Sequence, residues 1–179
     1  TLSYSSCPNY TFIFLALDHK SIEINFQITI AYVETLNQHA AHALFDVTKL
    51  SFATFGALRD TYALLRTGSA LGRGCGPLLI SLPDKKITPK VKRPVVAVPG
   101  RGTTAFVLFT LFIKENFPQV EPEIISMPFE KIMPAVKDGA ANFGVVIHEG
   151  RFVYQNLGLE SLVDLGQWWE NFTSLPIPL

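Results

Sequence analysis

NFGVVIHEGRFVY, residues 142–154, holds a short apolar run that ends in a cluster of charge. Residues 143–147 are mostly β-branched and apolar, the pattern of a strand covered on both faces of a sheet. The run stops at His148, Glu149, Gly150 and Arg151, where an imidazole meets a carboxylate, a turn residue and a guanidinium. In open α/β sheets, ligands sit beyond the carboxyl ends of the strands. A histidine there suits a general base, because its unperturbed pKa lies near ~6.5. The same place also suits a capping or hydrogen-bonded structural histidine, so the surrounding chain has to decide.

Working back from this stretch, the pattern predicts strands over 94–98 and 121–126 and helices over 105–116 and 129–137. With 143–147 they make a βαβαβ run. Between the first strand and its helix lies PGRGTT, residues 99–104. Glycines followed by Thr103 and Thr104 at a helix start form an anion cradle of hydroxyls, backbone N–H groups and positive helix end. A threonine N-cap reads the same way. Beyond 154, residues 162–165 read as one more strand before a helix carrying Trp168 and Trp169, and 176–179 read as extended.

The first half repeats the alternation. Strands are predicted over 1–6, 22–30, 45–48, 62–66 and 77–82, with helices over 11–17, 33–44 and 52–59. Cys7, Pro8 and Asn9 lie at the first strand-to-helix turn, where Pro and Asn are helix-start signals. Lys49, Leu50 and Ser51 lie at another; Lys and Ser there can bind a carboxylate or phosphate, or Ser51 can cap the helix. The glycine-rich loop at 68–77 lacks the Lys-Ser/Thr ending of a phosphate-binding loop. His39 and His42 lie three apart with no third ligand, which reads as a solvent-facing pair rather than a metal site.

The polar, lysine-rich stretch 83–93, with its prolines, is the expected boundary. The expectation is an α/β protein of two lobes: 1–82, a hinge at 83–93, a second lobe at 94–174 and a return hinge at 175–179. Cys7 to Asn9, Lys49 to Ser51, Thr103 with Thr104, and His148 would face the cleft between lobes.

Composition narrows the partners. The formal net charge is zero, from fifteen basic and fifteen acidic residues, so no electrostatic footprint for nucleic acid or an anionic membrane is expected. The chain is 48% hydrophobic, yet no stretch reaches the ~18 apolar residues of a membrane span. Cys7 and Cys75 make neither a disulfide framework nor a zinc pattern, and as thiols they fit a reducing compartment.

Read in order, the motifs SCPN (6–9), VETLN (33–37), VTKLS (47–51), SALGRG (69–74), PGR with Thr103 and Thr104, IHEGRF (147–152) and DLGQWW (164–169) resemble the 1,4-dihydroxy-6-naphthoate synthase family of menaquinone biosynthesis by the futalosine pathway. The resemblance covers nearly the whole chain. It implies the two-lobed fold of type 2 periplasmic binding proteins, used for catalysis in the cytoplasm. The implied reaction turns a small-molecule substrate, cyclic dehypoxanthine futalosine, into 1,4-dihydroxy-6-naphthoate, with no metal and no organic cofactor. His148 matches the family's proton acceptor. Lys49, Leu50 and Ser51 match one substrate-binding segment and Thr103 with Thr104 another, while Asn37 and Asn9 sit in family motifs that line the cleft.

There are departures. Tyr10 stands where family members usually have Asp, and Gly102 where they often carry a larger residue. Family members also run on past residue 179, which implies that the C-terminal part of the first lobe is missing. The rival readings are a solute-binding protein for a small carboxylate, the related chorismate dehydratase, and a catalytically dead paralogue. The His148 motif and the Lys49 to Ser51 segment favour the synthase.

Overall fold

The computed structural model describes residues 1–5, 14–16, 19, 21 and 25–178. Cys7, Asn9, Tyr10 and most of the helix expected over 11–17 lie outside the described residues, although residues 14–16 are helical. The chain divides into two compact units, Thr1–Ser69 and Ala70–Leu179.

In the first unit, β1 (Leu2–Tyr4), β2 (Ile28–Ile30), α1 (Val33–Ala41), β3 (Val47–Thr48) and α2 (Phe52–Leu58) follow one another. The strands form a parallel sheet in the order β2-β1-β3. Its small core is Leu2, Tyr4, Leu36 and Ala40, with the Tyr4 ring stacked on Phe14 at 4.2 Å. Of the strand expected over 22–30, residues 28–30 form β2 against Leu2–Tyr4 and residues 25–27 do not join it, while 22–24 lie outside the described residues. No strand forms at 62–66: Leu64 and Leu65 are more than half exposed, and this apolar pair finds no sheet to join.

The second unit contains β4 (Leu71–Gly72), β5 (Leu78–Ser81), β6 (Val95–Val98), α3 (Thr104–Asn116), β7 (Glu123–Ser126), α4 (Phe129–Lys137), β8 (Phe143–Val146), α5 (Gly150–Val153), a 3₁₀ turn (Tyr154–Leu157), β9 (Glu160–Asp164), α6 (Leu165–Thr173) and β10 (Ile177–Pro178). Five strands make one sheet in the order β7-β6-β8-β5-β9. The βαβαβ run is parallel, with β6 between β7 and β8. β5 runs antiparallel to both β8 and β9, and β10 pairs antiparallel with β4.

This topology corrects the expected lobe boundaries. The strand assigned to the first lobe, β5, is a wholly buried interior strand of the second unit's sheet. Residues 83–93 therefore connect β5 to β6 within one unit, and the division falls at Ser69 and Ala70. Prolines and lysines mark that stretch as exposed, which a connection at a sheet end requires as much as a hinge does.

Side-chain alternation along β5, β6 and β8 sorts the core into two layers. Leu79, Val96, Val98, Phe143 and Val145 pack with Ala105, Leu108, Phe109 and Leu165 from α3 and α6. Leu78, Ile80, Ala97 and Val146 pack with Ile132 and Val136 from α4. Full burial of each such aliphatic side chain stabilises by ~1.5–3 kcal/mol. α4 reaches the sheet over Gly144, where a Cβ would lie 2.7 Å from Ile132 and 2.8 Å from Val136.

Candidate functional site

Because β6, β7 and β8 are parallel neighbours, their carboxyl ends open on the same edge of the sheet. That edge carries the PGRGTT turn after β6, Phe129 after β7 and His148 after β8. Ligand crevices form at such an edge in α/β sheets.

His148 is exposed and sits two residues past the end of β8 with φ +52°. A left-handed backbone at a non-glycine residue is uncommon and strained, and it clusters at functional positions. The turn is closed by Gly150 N–H donating to the Ile147 carbonyl at 3.1 Å and Arg151 N–H donating to the His148 carbonyl at 3.2 Å. The imidazole meets the Phe129 ring edge to face, with centroids 5.7 Å apart and planes at 79°.

In the neighbouring turn, Thr103 caps α3. Its hydroxyl accepts from Phe106 N–H at 3.2 Å and donates to the Gly100 carbonyl at 2.7 Å, and the residue is 4% exposed. Gly100 adopts φ +154°, a conformation that favours glycine. Arg101 donates to the Ile124 carbonyl in β7 at 3.1 Å, fixing the turn against the next strand. Thr103 therefore builds the cradle with its hydroxyl already bonded on both sides. The hydroxyl of half-buried Thr104 and the N–H groups of Thr104 and Ala105, in the first turn, are the groups suited to an anion.

In the first unit, Lys49, Leu50 and Ser51 follow β3, and all are half-buried. Lys49 N–H donates to the Ser3 carbonyl at 2.8 Å. Ser51 is the N-cap residue of α2 without a side-chain cap bond. Asn37, 3% exposed, holds it instead: Asn37 Oδ1 accepts the Ser51 N–H at 2.9 Å and Asn37 Nδ2 donates to Ser51 Oγ at 3.1 Å. Asn37 Nδ2 also faces Glu34 Oε2 at 3.3 Å. A hydroxyl that accepts one bond keeps its hydrogen to donate, so Ser51 is oriented as a donor while the Asn37 amide is engaged within the protein.

The structure thus brings Asn37 to Ser51, and sets Thr103, Thr104 and His148 on adjacent strand ends. Asn9 lies outside the described residues. Three partners escaped the sequence reading: Phe129, Glu34 and the Arg151–Asp164 pair. Asp164, directly before a helix, carries an N-cap signal that could have been recognised. It accepts from Gly166 N–H at 2.9 Å and Gln167 N–H at 3.0 Å, and from Arg151 Nη2 at 2.7 Å. Burial by itself raises the Asp164 carboxyl pKa. The hydrogen bond and charge of Arg151 and the Gln167 and Gly166 N–H groups outweigh burial and hold it below its ordinary value.

Among the described residues, no group of three or more His, Cys, Asp or Glu could hold a metal ion, and no helix is long and apolar enough to cross a membrane. His39 packs against Phe45 at 5.7 Å rather than facing solvent freely.

The family model described as menaquinone biosynthesis matches residues 1–179. A 1,4-dihydroxy-6-naphthoate synthase of Streptomyces coelicolor is 44% identical over 99% of this chain and 63% of its own length. One from Thermus thermophilus is 42% identical with the same coverage. The chain therefore spans 63% of the length of these curated relatives. A crystal structure of an Archaeoglobus fulgidus protein superposes with TM-score 0.85 at 33% identity, over 99% of this chain and 64% of that one. The periplasmic aliphatic sulphonate binding protein of Escherichia coli matches with TM-score 0.64 at 12% identity, over 99% of this chain and 62% of that one, a likeness of fold alone. The fold is that of the type 2 periplasmic binding proteins, and by the family model and these relatives the chain belongs to the menaquinone biosynthesis family.

Proposed function

We propose that the chain serves as a 1,4-dihydroxy-6-naphthoate synthase, a lyase that converts cyclic dehypoxanthine futalosine to the naphthoate. The names of its 44% and 42% identical relatives support this reading. The observation that carries it is the strained His148 turn beyond β8, beside the threonine turn beyond β6.

In this reading, neutral His148 is the general base. It removes a proton from the sugar-derived part of the substrate, and carbon–carbon cleavage and aromatisation of the ring follow. Positioned proton transfer of this kind contributes ~10²–10⁴-fold. The Thr103 and Thr104 turn binds a carboxylate or ring oxygen through the Thr104 hydroxyl and the opening N–H groups of α3. Thr103 supports that turn by capping it. In the first unit, Lys49, Leu50 and Ser51 contact substrate, with the Ser51 hydroxyl as donor. Asn37 contributes by holding Ser51, and Asn9 is assigned to the substrate by its family motif.

The test is conversion of cyclic dehypoxanthine futalosine, followed by naphthoate absorbance, with the wild-type protein and His148→Ala side by side. Product from the wild type and none from the variant supports the reading. Equal product from both overturns the assignment of the base, and tight binding without product from either points to a solute-binding protein.

A further inference from the structure

Arg151 lies one helical turn past His148, and its two ends do different things. Its N–H donates to the His148 carbonyl at 3.2 Å, bracing the left-handed turn from below. Its guanidinium, on a side chain only 16% exposed, bonds Asp164 Oδ2 at 2.7 Å, the Gly74 carbonyl at 3.3 Å and the Gly76 carbonyl. These acceptors come from two other parts of the unit. Asp164 caps α6, and Gly74 and Gly76 lie on the segment between β4 and β5.

That segment is itself fixed. Gly74 N–H donates to Glu170 of α6 at 2.7 Å, and Arg73 pairs with Glu170 at 3.8 Å. Gly76 and Gly166 meet backbone to backbone, so a Cβ on Gly76 would lie 2.3 Å from the Gly166 Cα. The planar fork of arginine reaches a carboxylate and two carbonyls from two separated nitrogens; the three donors of lysine all leave a single nitrogen. α5 is four residues long, too short to hold its own position by helix formation. Its placement has to come from such tertiary bonds.

We propose that Arg151 is a positioning residue for His148, holding the base in its left-handed turn by anchoring α5 to Asp164 and to the Gly74–Gly76 carbonyls. The inference rests on His148 being the base. It makes the geometry of the base depend on the segment where the chain enters the second unit.

The test uses the whole chain as Arg151→Met, Arg151→Lys and His148→Ala. Imidazole NMR titration, kcat and KM for naphthoate formation, and thermal melting are followed together. His148→Ala identifies the His148 resonance. In Arg151→Met that resonance is expected to broaden or change its titration midpoint, while those of His39 and His42 stay in place. Turnover should fall by about 10²-fold, the scale of a roughly 1 Å misplacement, with KM held within about 2-fold. Arg151→Lys should recover part of both. A folded Arg151→Met protein with lower melting temperature but unchanged His148 resonance and unchanged kcat would overturn the inference, leaving Arg151 a purely structural brace. If the methionine variant does not fold, the same two readings on Arg151→Lys decide. Failure of the functional reading is distinguishable: His148→Ala would then turn over like the wild type, and the resonance would still report on the anchor.

Discussion

Asn37 holds Ser51 at two points, accepting its N–H at 2.9 Å and donating to its hydroxyl at 3.1 Å, from a site that is 3% exposed. The turn after β3, proposed above to bind substrate, is thereby fixed by a residue on α1. Removing Asn37 leaves the Ser51 N–H unpaired and the hydroxyl free to rotate, a loss of about 1–3 kcal/mol. Asn37→Ala should raise KM by about 10-fold, since about 1.4 kcal/mol is tenfold in binding, with a smaller change in kcat. Steady-state kinetics check this, and an unchanged KM would remove Asn37 from the account.

The strain at His148 gives a prediction of opposite sign for stability and activity. An L-residue in the left-handed region costs ~1–2 kcal/mol, partly offset in a glycine variant by its larger unfolded-state entropy. His148→Gly should therefore melt higher than wild type, by a net of about 0.5–1 kcal/mol, while losing turnover. His148→Val should melt lower, because a β-branched residue is poorly tolerated at φ +52°. Calorimetry of the two variants tests the sign.

Gly76→Ala is expected to be severe. The new methyl would sit 2.3 Å from the Gly166 Cα and 2.7 Å from its N, and backbone cannot yield as a side-chain end can. Overpacking of this kind costs about 1–3 kcal/mol or more, readable as a lower denaturation midpoint. Gly139→Ala is the control: no heavy atom lies within 4 Å of its Cβ position, and only its φ of +78° opposes the change.

Much of the second unit was legible because its signals are local. The apolar run before His148 forms β8, and the 129–137 periodicity gives α4 with its bounds intact. The lobe boundary was not legible. β5 is paired by β8 and β9 from far along the chain, and no local pattern records which sheet an apolar strand joins. The site divided the same way. His148, Thr103 and Ser51 stand at strand ends that periodicity reveals. The engagement of Asn37 with a residue fourteen positions away, and of Arg151 with backbone carbonyls that have no side-chain signature, needs the fold.

Asp164 makes stability depend on pH in a defined direction. Its folded pKa is lowered, so the ionised carboxylate contributes stability above the unfolded pKa, and that contribution is lost as pH falls through the folded one. Asp164→Asn keeps an N-cap acceptor but removes the ion pair with Arg151, costing about 1 kcal/mol at neutral pH for a partly exposed pair. The gap in melting temperature between wild type and variant should be constant from pH 7 to pH 6 and close below about pH 4, near the ordinary carboxylate range. A gap independent of pH would contradict a lowered folded pKa for Asp164.

If His148 takes the substrate proton, removing its basicity must slow the chemistry without weakening binding. The most direct measurement is single-turnover naphthoate formation by His148→Gln, which keeps a polar side chain of similar reach but cannot act as a base, with substrate binding measured on the same sample. Binding is expected within about 3-fold of wild type and the rate lower by about 10²–10⁴-fold. Naphthoate formed at the wild-type rate would contradict His148 as the base.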